Sequence, residues 1–160
     1  SENGEDYEAN MLRLLRKWDT INEHVPAPVI VDCGRETDTA VLYFGTSEES
    51  SREALDYLAE DGIFMNAMRV RAFPFNSEVQ QFIESHAQVF VIEQNRDAQL
   101  RTLLMAEFEF GPDILKSVLC FDGTPISARN IRKQIKKHLN GDNVLPLHRK
   151  ASLSGVEEIL

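Results

Sequence analysis

The sequence lacks the features that mark several classes of protein. Its two cysteines, Cys33 and Cys120, lie far apart and form neither a CxxC pair nor a cluster with histidines. A disulfide framework and a zinc site are therefore both disfavoured. No apolar run approaches the roughly 18 residues that a membrane-spanning helix needs. The first ten residues are acidic and do not resemble an export signal, so we expect a cytoplasmic protein.

Positive charge is also scarce. Lys and Arg total 17 against 26 Asp and Glu, which gives a formal net charge of −9. Because binding to nucleic acid requires clustered positive charge, this balance disfavours it. One basic helix near the C-terminus is an exception. It is either a solvated face, the preferred interpretation, or a dock for an acidic partner or a phosphorylated ligand. Its cations are Arg129, Arg132, Lys133, Lys136 and Lys137.

What is present suits one globular domain with tails. At 160 residues and 42% hydrophobic, the chain can bury one sizeable core. Residues 1–27 are predicted to form an acidic lead-in and an amphipathic linker helix. Residues 28–140 form the domain, and residues 141–160 lose the apolar period and predict an extended C-terminal tail. The chain begins with Ser rather than Met, which suggests a piece of a longer protein.

Apolar runs alternate with helical patterns along the domain. Because strands joined by helices pair in parallel, the pattern predicts a three-layer α/β/α fold with a five-stranded, mostly parallel sheet. The link between the first two runs is too short for a helical crossover, so these strands are antiparallel if they pair directly. Thr46 and Glu49 are spaced as a capping box, and Ser127 is placed to cap the basic helix. The predicted strands are 28–33, 39–45, 63–70, 88–93 and 114–121.

Polar residues collect where three of the predicted strands end. In an open parallel sheet, ligands bind beyond the carboxyl ends of the strands. Gly45 allows a close turn, and Thr46 and Ser47 offer hydroxyls and amides near a helix start, where anions bind. However, GTSEES matches neither a dinucleotide-binding nor a P-loop pattern, and its glutamates would repel a phosphate. A nucleotide site at this corner is therefore disfavoured.

The other two corners carry Arg71 and the turn that follows Glu93. Arg71 can clamp a carboxylate or phosphate, but a salt bridge to Glu93 across adjacent strand ends is preferred. Asn95 and Gln99 are expected to hydrogen-bond their own corner and cap the next helix, with Asp97 as a competing cap. Together the corners define a predicted rim for a ligand or an interface, formed by Gly45, Thr46, Ser47, Arg71, Glu93, Asn95 and Gln99.

The sequence offers little that suits catalysis. No Ser or Cys stands in a nucleophile elbow, and no glycine-rich dinucleotide turn is present, so a stand-alone hydrolase or NAD enzyme is disfavoured. The histidines are expected to be solvated groups at helix ends or in the tail. We therefore expect no catalytic residue, no metal ligand and no cofactor in this chain. These histidines are His24, His86, His138 and His148.

Several segments nevertheless resemble a known family in their order and spacing. They are similar to the C-terminal domain of the alpha subunit of 2-oxoacid:ferredoxin oxidoreductases, most closely the 2-oxoglutarate type. The resemblance covers about residues 10–138, and ExNxxxQL with the RxxPF turn is its most specific part. The same fold type forms the C-terminal domain of transketolases and of the beta subunits of 2-oxoacid dehydrogenases. The segments are LRKWDTI, which resembles the linker helix, FGTSEESSREALDYLAEDG, MRVRAFPF, VFVIEQNRDAQLRTLLMAEF and FDGTPISARNI.

The resemblance implies a transketolase C-terminal type of fold, with one antiparallel edge strand and helices on both faces. It implies part of an enzyme that oxidatively decarboxylates a 2-oxoacid, such as pyruvate or 2-oxoglutarate, on thiamine diphosphate with Mg. Electrons then pass through iron–sulfur clusters to ferredoxin, and an acyl-CoA is released. In such an enzyme this domain would support assembly and shape the approach to the active site. Its partners would be the other domains and subunits, and the isolated chain would be inactive.

Two departures and one alternative accompany the resemblance. Family members carry glycine where this chain has Glu49 and Ala98, and both substitutions add bulk where a backbone can approach a partner or ligand closely. The resemblance to the family therefore does not imply that these corners contact an anion or CoA. The alternative is a stand-alone binding or protein-interaction module for a small anionic ligand or a protein partner. The apolar stripe of the first helix can serve a neighbouring domain or self-association, so a homo-oligomer is also possible.

Overall fold

The computed structural model describes residues 3–141, so all but the first residue of the predicted tail lies outside the described residues. The helices in this range are α1 Gly4–His24, α2 Glu48–Glu60, α3 Ser77–Glu84, α4 Gln99–Phe108 and α5 Ala128–Leu139. The strands are β1 Val29–Val31, β2 Thr39–Phe44, β3 Asn66–Val70, β4 Gln88–Glu93 and β5 Leu115–Leu119. Over residues 3–141, no helix is both long enough and apolar enough to cross a membrane.

The strands form one sheet in the order β1-β3-β2-β4-β5. β1 is antiparallel to β3 and every other pair is parallel, which confirms the predicted fold class. The first two strands do not pair directly, because β3 lies between them, and β1 is antiparallel to β3 instead. Burial explains the order. Residues 40–43 of β2 are buried and need neighbours on both sides, whereas the three residues of β1 are all exposed and suit an edge.

Two apolar clusters fill the spaces above and below the sheet. Alternate strand residues point to opposite faces, so Val41 and Phe90 join one cluster while Leu42 and Val91 join the other. The first cluster is covered by α2 and α5, and the second by α3 and α4. The domain is therefore three-layered over residues 39–139, and α1 lies outside both clusters.

Helix α5 is fixed at its start and along its length. The Ser127 side chain accepts a hydrogen bond from the Asn130 amide, so the predicted cap is confirmed. Arg132 binds both carboxylate oxygens of Asp61 at 2.6 and 2.8 Å, and Lys136 lies 3.0 Å from Oδ2. Asp61 follows the C-terminal end of α2, so two of the basic residues of α5 join neighbouring helices. Exposed cations remain on α5 at Arg129, Lys133 and Lys137.

Asp61→Asn should remove the stability that the ion pair of Asp61 with Arg132 and Lys136 contributes at neutral pH. Hydrogen bonds from Arg132 and Lys136 lower the pKa of Asp61 from 3.8 to about 2. A carboxyl whose folded pKa is depressed contributes stability above its unfolded pKa, and this contribution is lost as the pH falls through the folded pKa. The melting-temperature difference between wild type and Asp61→Asn should therefore be largest well above pH 3.8 and shrink toward pH 2.

The matched control for this experiment is Asp56→Asn, which changes an exposed carboxyl on the same helix. Its melting temperature should follow that of the wild type at every pH. A difference for Asp61→Asn that stays constant from neutral pH down to pH 2 would contradict the role given to the ion pair.

Candidate functional site

The order of strands in the sheet reverses direction between β2 and β4, and the carboxyl ends of these two parallel strands lie side by side. This is the switch point at which open α/β sheets bind ligands. After β2 the chain turns at Gly45, whose φ of +58° favours glycine. Gln94, which directly follows β4, donates from Nε2 to Thr46 Oγ1 at 3.0 Å and to Ser47 Oγ at 3.3 Å. Gln94 therefore bridges the two loops, although the predicted rim omitted it.

Glu93 is the central polar group of the switch point. Its side chain is fully buried at the end of β4. Oε2 accepts from the Leu100 amide at 2.7 Å and from Asn95 Nδ2 at 2.8 Å, and Oε1 accepts from the Arg101 amide at 3.1 Å. The first amides of a helix have no partner within the helix and carry partial positive charge. Glu93 thus caps α4 from the preceding strand, which compensates for the burial of its carboxylate.

The predicted salt bridge between Arg71 and Glu93 is wrong. It assumed adjacent strand ends, but β2 lies between β3 and β4. The guanidinium of Arg71 is exposed and donates instead to the carbonyl of Ala27 at 3.4 Å. The guanidinium of Arg71 therefore contacts the link between α1 and β1 and does not pair with Glu93.

The turn between β4 and α4 is ordered by its own side chains. Asn95 Oδ1 accepts from the amides of Asp97 at 3.1 Å and Gln99 at 3.3 Å, as the sequence predicted for a residue that orders this corner. Gln99 is exposed and is the first residue of α4. The amide of Asn95 also holds Glu93, so a single side chain links the strand end, the turn and the helix start.

The predicted capping box of Thr46 and Glu49 does not form. Residues 45–47 make a 3-10 turn, α2 begins only at Glu48, and its N-cap residue makes no side-chain capping hydrogen bond. The hydroxyls of Thr46 and Ser47 accept from Gln94 instead. The reason is the tight turn after Gly45, which moves the start of the helix past Thr46.

Ala98, one of the two departures from the family pattern, occupies a position whose backbone favours glycine. It precedes α4 with φ 50° and ψ 49°, in the left-handed region that glycine adopts at least cost. Ala98 lies outside the helix, as the N-cap residue of α4. Glu49, the other departure, is exposed in the first turn of α2, where its charge suits the helix dipole.

A phosphate-bearing group does not fit the rim. An anion at the switch point would use the free amides at the starts of α2 and α4. The carboxylate of Glu93 already accepts from the amides of α4. The first turn of α2 carries Glu48, 2.7 Å from Arg69, and the exposed Glu49. Both helix starts are therefore supplied with negative charge by the chain itself, and a diphosphate there would meet repulsion.

A cavity of about 320 Å³ lies elsewhere, between β1 and α2. None of the predicted rim residues lines it. Its mostly apolar wall includes Val31, Cys33, Leu55, Phe64 and Met65. The thiols of Cys33 and Cys120 are both free, and burial raises the pKa of Cys120. Among residues 3–141, no group of three or more His, Cys, Asp or Glu side chains is placed to hold a metal ion.

The histidines differ in their surroundings. His86 was predicted to be a solvated helix-end group, but it is buried. Its Nε2 pairs with Asn66 at 3.0 Å and its Nδ1 with the carbonyl of Phe82 at 2.7 Å. The half-buried His138 pairs with the carbonyl of Ser117 at 2.9 Å. Both contacts are structural, and His148 lies outside the described residues.

Comparison with known proteins finds similarity to the same family that the sequence motifs resemble. No family model matches the chain. The alpha subunit of 2-oxoacid:ferredoxin oxidoreductase 2 from Aeropyrum pernix is 28% identical over 136 residues. The resemblance seen in the sequence is confirmed. The match covers 82% of this chain but only 21% of the Aeropyrum subunit, so the chain spans about a fifth of that relative.

Solved structures establish the fold type. The 2-oxoglutarate:ferredoxin oxidoreductase from Magnetococcus marinus, solved with 2-oxoglutarate, coenzyme A and succinyl-CoA bound, aligns with a TM-score of 0.74 at 18% identity. That alignment covers 87% of this chain and 24% of the Magnetococcus chain. A split-gene transketolase, solved as an inactive β4 tetramer, aligns with a TM-score of 0.55 at 16% identity, over 72% of this chain and 42% of its own. The three-layer fold is thus of the transketolase-like type.

Glu93→Gln should destabilise the domain by about 2–3 kcal/mol, since an amide nitrogen would face a helix N–H and leave a buried donor without an acceptor. The free energy of unfolding in denaturant measures the loss. Glu49→Gln is the control, because Glu49 is exposed and its contribution to the helix dipole is roughly 0.5 kcal/mol. Equal losses for the two variants would show that the buried carboxylate does not hold the start of α4.

Ala98→Gly should be tolerated, whereas glycine within the following helix should not. Relief of the left-handed backbone is worth roughly 1–2 kcal/mol and offsets the flexibility that glycine adds to the unfolded chain. Ala106→Gly, at an exposed position of α4, should cost about 1 kcal/mol. The free energy of unfolding in denaturant should therefore be higher for Ala98→Gly than for Ala106→Gly by roughly 1–2 kcal/mol. The interpretation fails if both variants lose the same stability.

Proposed function

We propose that this chain is the assembly and site-shaping domain of a thiamine-diphosphate-dependent 2-oxoacid:ferredoxin oxidoreductase. The whole enzyme would oxidatively decarboxylate a 2-oxoacid and form an acyl-CoA, and ferredoxin would receive the electrons. In this proposal the chain supplies no catalytic residue. Its contribution is a rigid surface that meets the other domains and subunits.

The observation that carries the proposal is the 28% identity to an oxidoreductase alpha subunit over 82% of this chain. The similarity runs through most of the folded domain rather than through one short motif. The transketolase-like fold agrees with it, because the same architecture occurs in the solved oxidoreductase and in the transketolase. Similarity over a fifth of a longer subunit supports a part of an enzyme more than a complete one.

The hydrogen bonds of the rim support a shaping role. Glu93, Asn95 and Gln94 direct their polar atoms to neighbouring loops and helix amides within the chain. A surface whose groups already bind each other keeps its form when another domain docks, since little ordering is required on binding. The rim therefore suits a role as a wall beside an active site that other domains complete.

The cofactors of the proposed enzyme would be held by its other parts. Thiamine diphosphate and CoA both carry phosphates, for which this rim is unsuitable because Glu93 and the glutamates of α2 already lie at its two helix starts. The same contacts weigh against the alternative of a stand-alone module for a small anionic ligand. No step of the reaction is therefore assigned to a residue of this chain.

Reconstitution tests the proposal. The cofactor-bearing parts of the oxidoreductase are purified without this chain, and 2-oxoacid-dependent reduction of a redox dye is followed before and after the chain is added. Addition should restore the activity, because the missing wall of the site is replaced. The chain alone should reduce no dye. Failure to restore activity with all parts present, or turnover by the chain alone, would refute the proposal.

A matched pair of variants tests whether the rim is the surface that matters. The double variant Gln94→Ala with Asn95→Ala removes the bridge between the loops and should lower the restored activity by about tenfold, through a loss of roughly 1.4 kcal/mol in assembly or positioning. Lys133→Ala changes an exposed residue on α5 and should restore activity fully. If both variants restored the same activity, the rim would not be the surface on which activity depends.

A further inference from the structure

Helix α1 is unlike the other helices because it buries no residue. Each of α2, α3, α4 and α5 buries at least one residue against the sheet. On α1, by contrast, the large apolar side chains are between 36% and 61% exposed. Its contact with the domain includes the ring of Trp18, which packs edge-on against Phe73 at 5.4 Å, and even Trp18 remains 44% exposed.

Five of the seven exposed large apolar side chains of α1 form a regular seam. Their spacing along the chain is four, three, four and three residues, which is the a/d pattern of a coiled coil with a period of 3.5. The a/d repeat is the pattern by which one helix packs against a second helix of the same kind, and Leu15 lies beside this seam. The seam consists of Tyr7, Met11, Leu14, Trp18 and Ile21.

The size of the exposed surface matches one side of a stable interface. At roughly 150–250 Å² for a large side chain, the seam and the adjacent Leu15 expose on the order of 500 Å² of apolar surface. One partner in a standard interface contributes roughly 800 Å², a little over half of it apolar. The largest apolar patch of a monomeric protein covers roughly 300–600 Å² and often has a binding role.

We propose that the seam is the dimer interface of this chain, occupied by α1 of a second copy in an antiparallel coiled coil. Among residues 3–141, no other helix offers a free apolar face, since the other four turn theirs to the sheet. A second α1 carries the same repeat and meets the first with matching spacing. The inference depends on α1 alone and goes beyond the proposed enzyme function.

The antiparallel direction follows from side-chain size. In this arrangement Met11 faces Ile21 of the second copy, and Leu14 faces Trp18 of the second copy, so each layer joins side chains that differ in shape and fill one another's gaps. Leu15 would meet Leu15 of the second copy near the two-fold axis. A parallel pair would instead place Trp18 against Trp18 in one layer, which overpacks the seam.

The molar mass of the full chain in solution tests the proposal. Sedimentation equilibrium at micromolar concentration should give twice the mass of one chain. Leu14→Glu places a charge in the seam and should reduce the mass to that of the monomer. Leu12→Glu is the matched control, because Leu12 is equally apolar and 47% exposed but lies about 140° around α1 from the centre of the seam. It should remain a dimer.

Each alternative result has a defined meaning. A monomeric wild type would overturn the proposal, and binding of α1 to other oxidoreductase subunits would then identify the true occupant. A dimer that survives Leu14→Glu would place the interface elsewhere and also overturn it. Because α1 buries no residue, these variants should leave the thermal unfolding of the domain unchanged.

Disulfide trapping tests the direction. In a Cys33→Ser background, chains with Met11→Cys are mixed with chains carrying Ile21→Cys and oxidised. Antiparallel packing should give mainly the mixed dimer, since residues 11 and 21 of opposite copies share a layer. Predominant linkage of Met11→Cys chains to each other would show a parallel pair, and absence of any linkage would contradict a seam through α1.

Discussion

The carboxylate of Glu93 is the contact on which the arrangement of the switch point depends. It ends the interior strand β4 in a fully buried position and can be accommodated there only because the first amides of α4 and the side chain of Asn95 donate to it. That requirement fixes where α4 begins. It also confines the intervening turn so tightly that Ala98 takes a left-handed backbone.

This internal cap also decides what kind of surface the domain presents. The positive end of α4, which in many α/β proteins attracts a phosphate, is already occupied by a side chain of the same polypeptide. The rim is left with polar groups that bind one another, while large apolar side chains are exposed on α1 and on β1. These surfaces support the proposed role in assembly, and the chain is similar to one part of a larger subunit.

Local patterns in the sequence predict where helices and strands occur, but not which strands lie next to each other in the sheet. β4 occupies the predicted residues, and Ser127 caps α5, because both depend on residues close in sequence. The sequence did not fix the partner of β1, and the predicted pairing of Arg71 with Glu93 was wrong, because strand order is set by long-range packing. The cap role of Glu93 was also missed. Its available signal was an acidic strand end followed, after a short polar turn, by a helix without an N-terminal carboxylate of its own.

An NMR titration of the isotope-labelled chain with CoA tests most directly whether the chain itself fills the switch point. The signals to follow are the amides of Leu100 and Arg101, which donate to Glu93, together with those of Thr46 and Ser47 in the opposite loop. We expect these signals to stay in place at every CoA concentration. Saturable shifts of the Leu100 and Arg101 amides would mean that an outside anion can take the position of the Glu93 carboxylate, and would contradict the account.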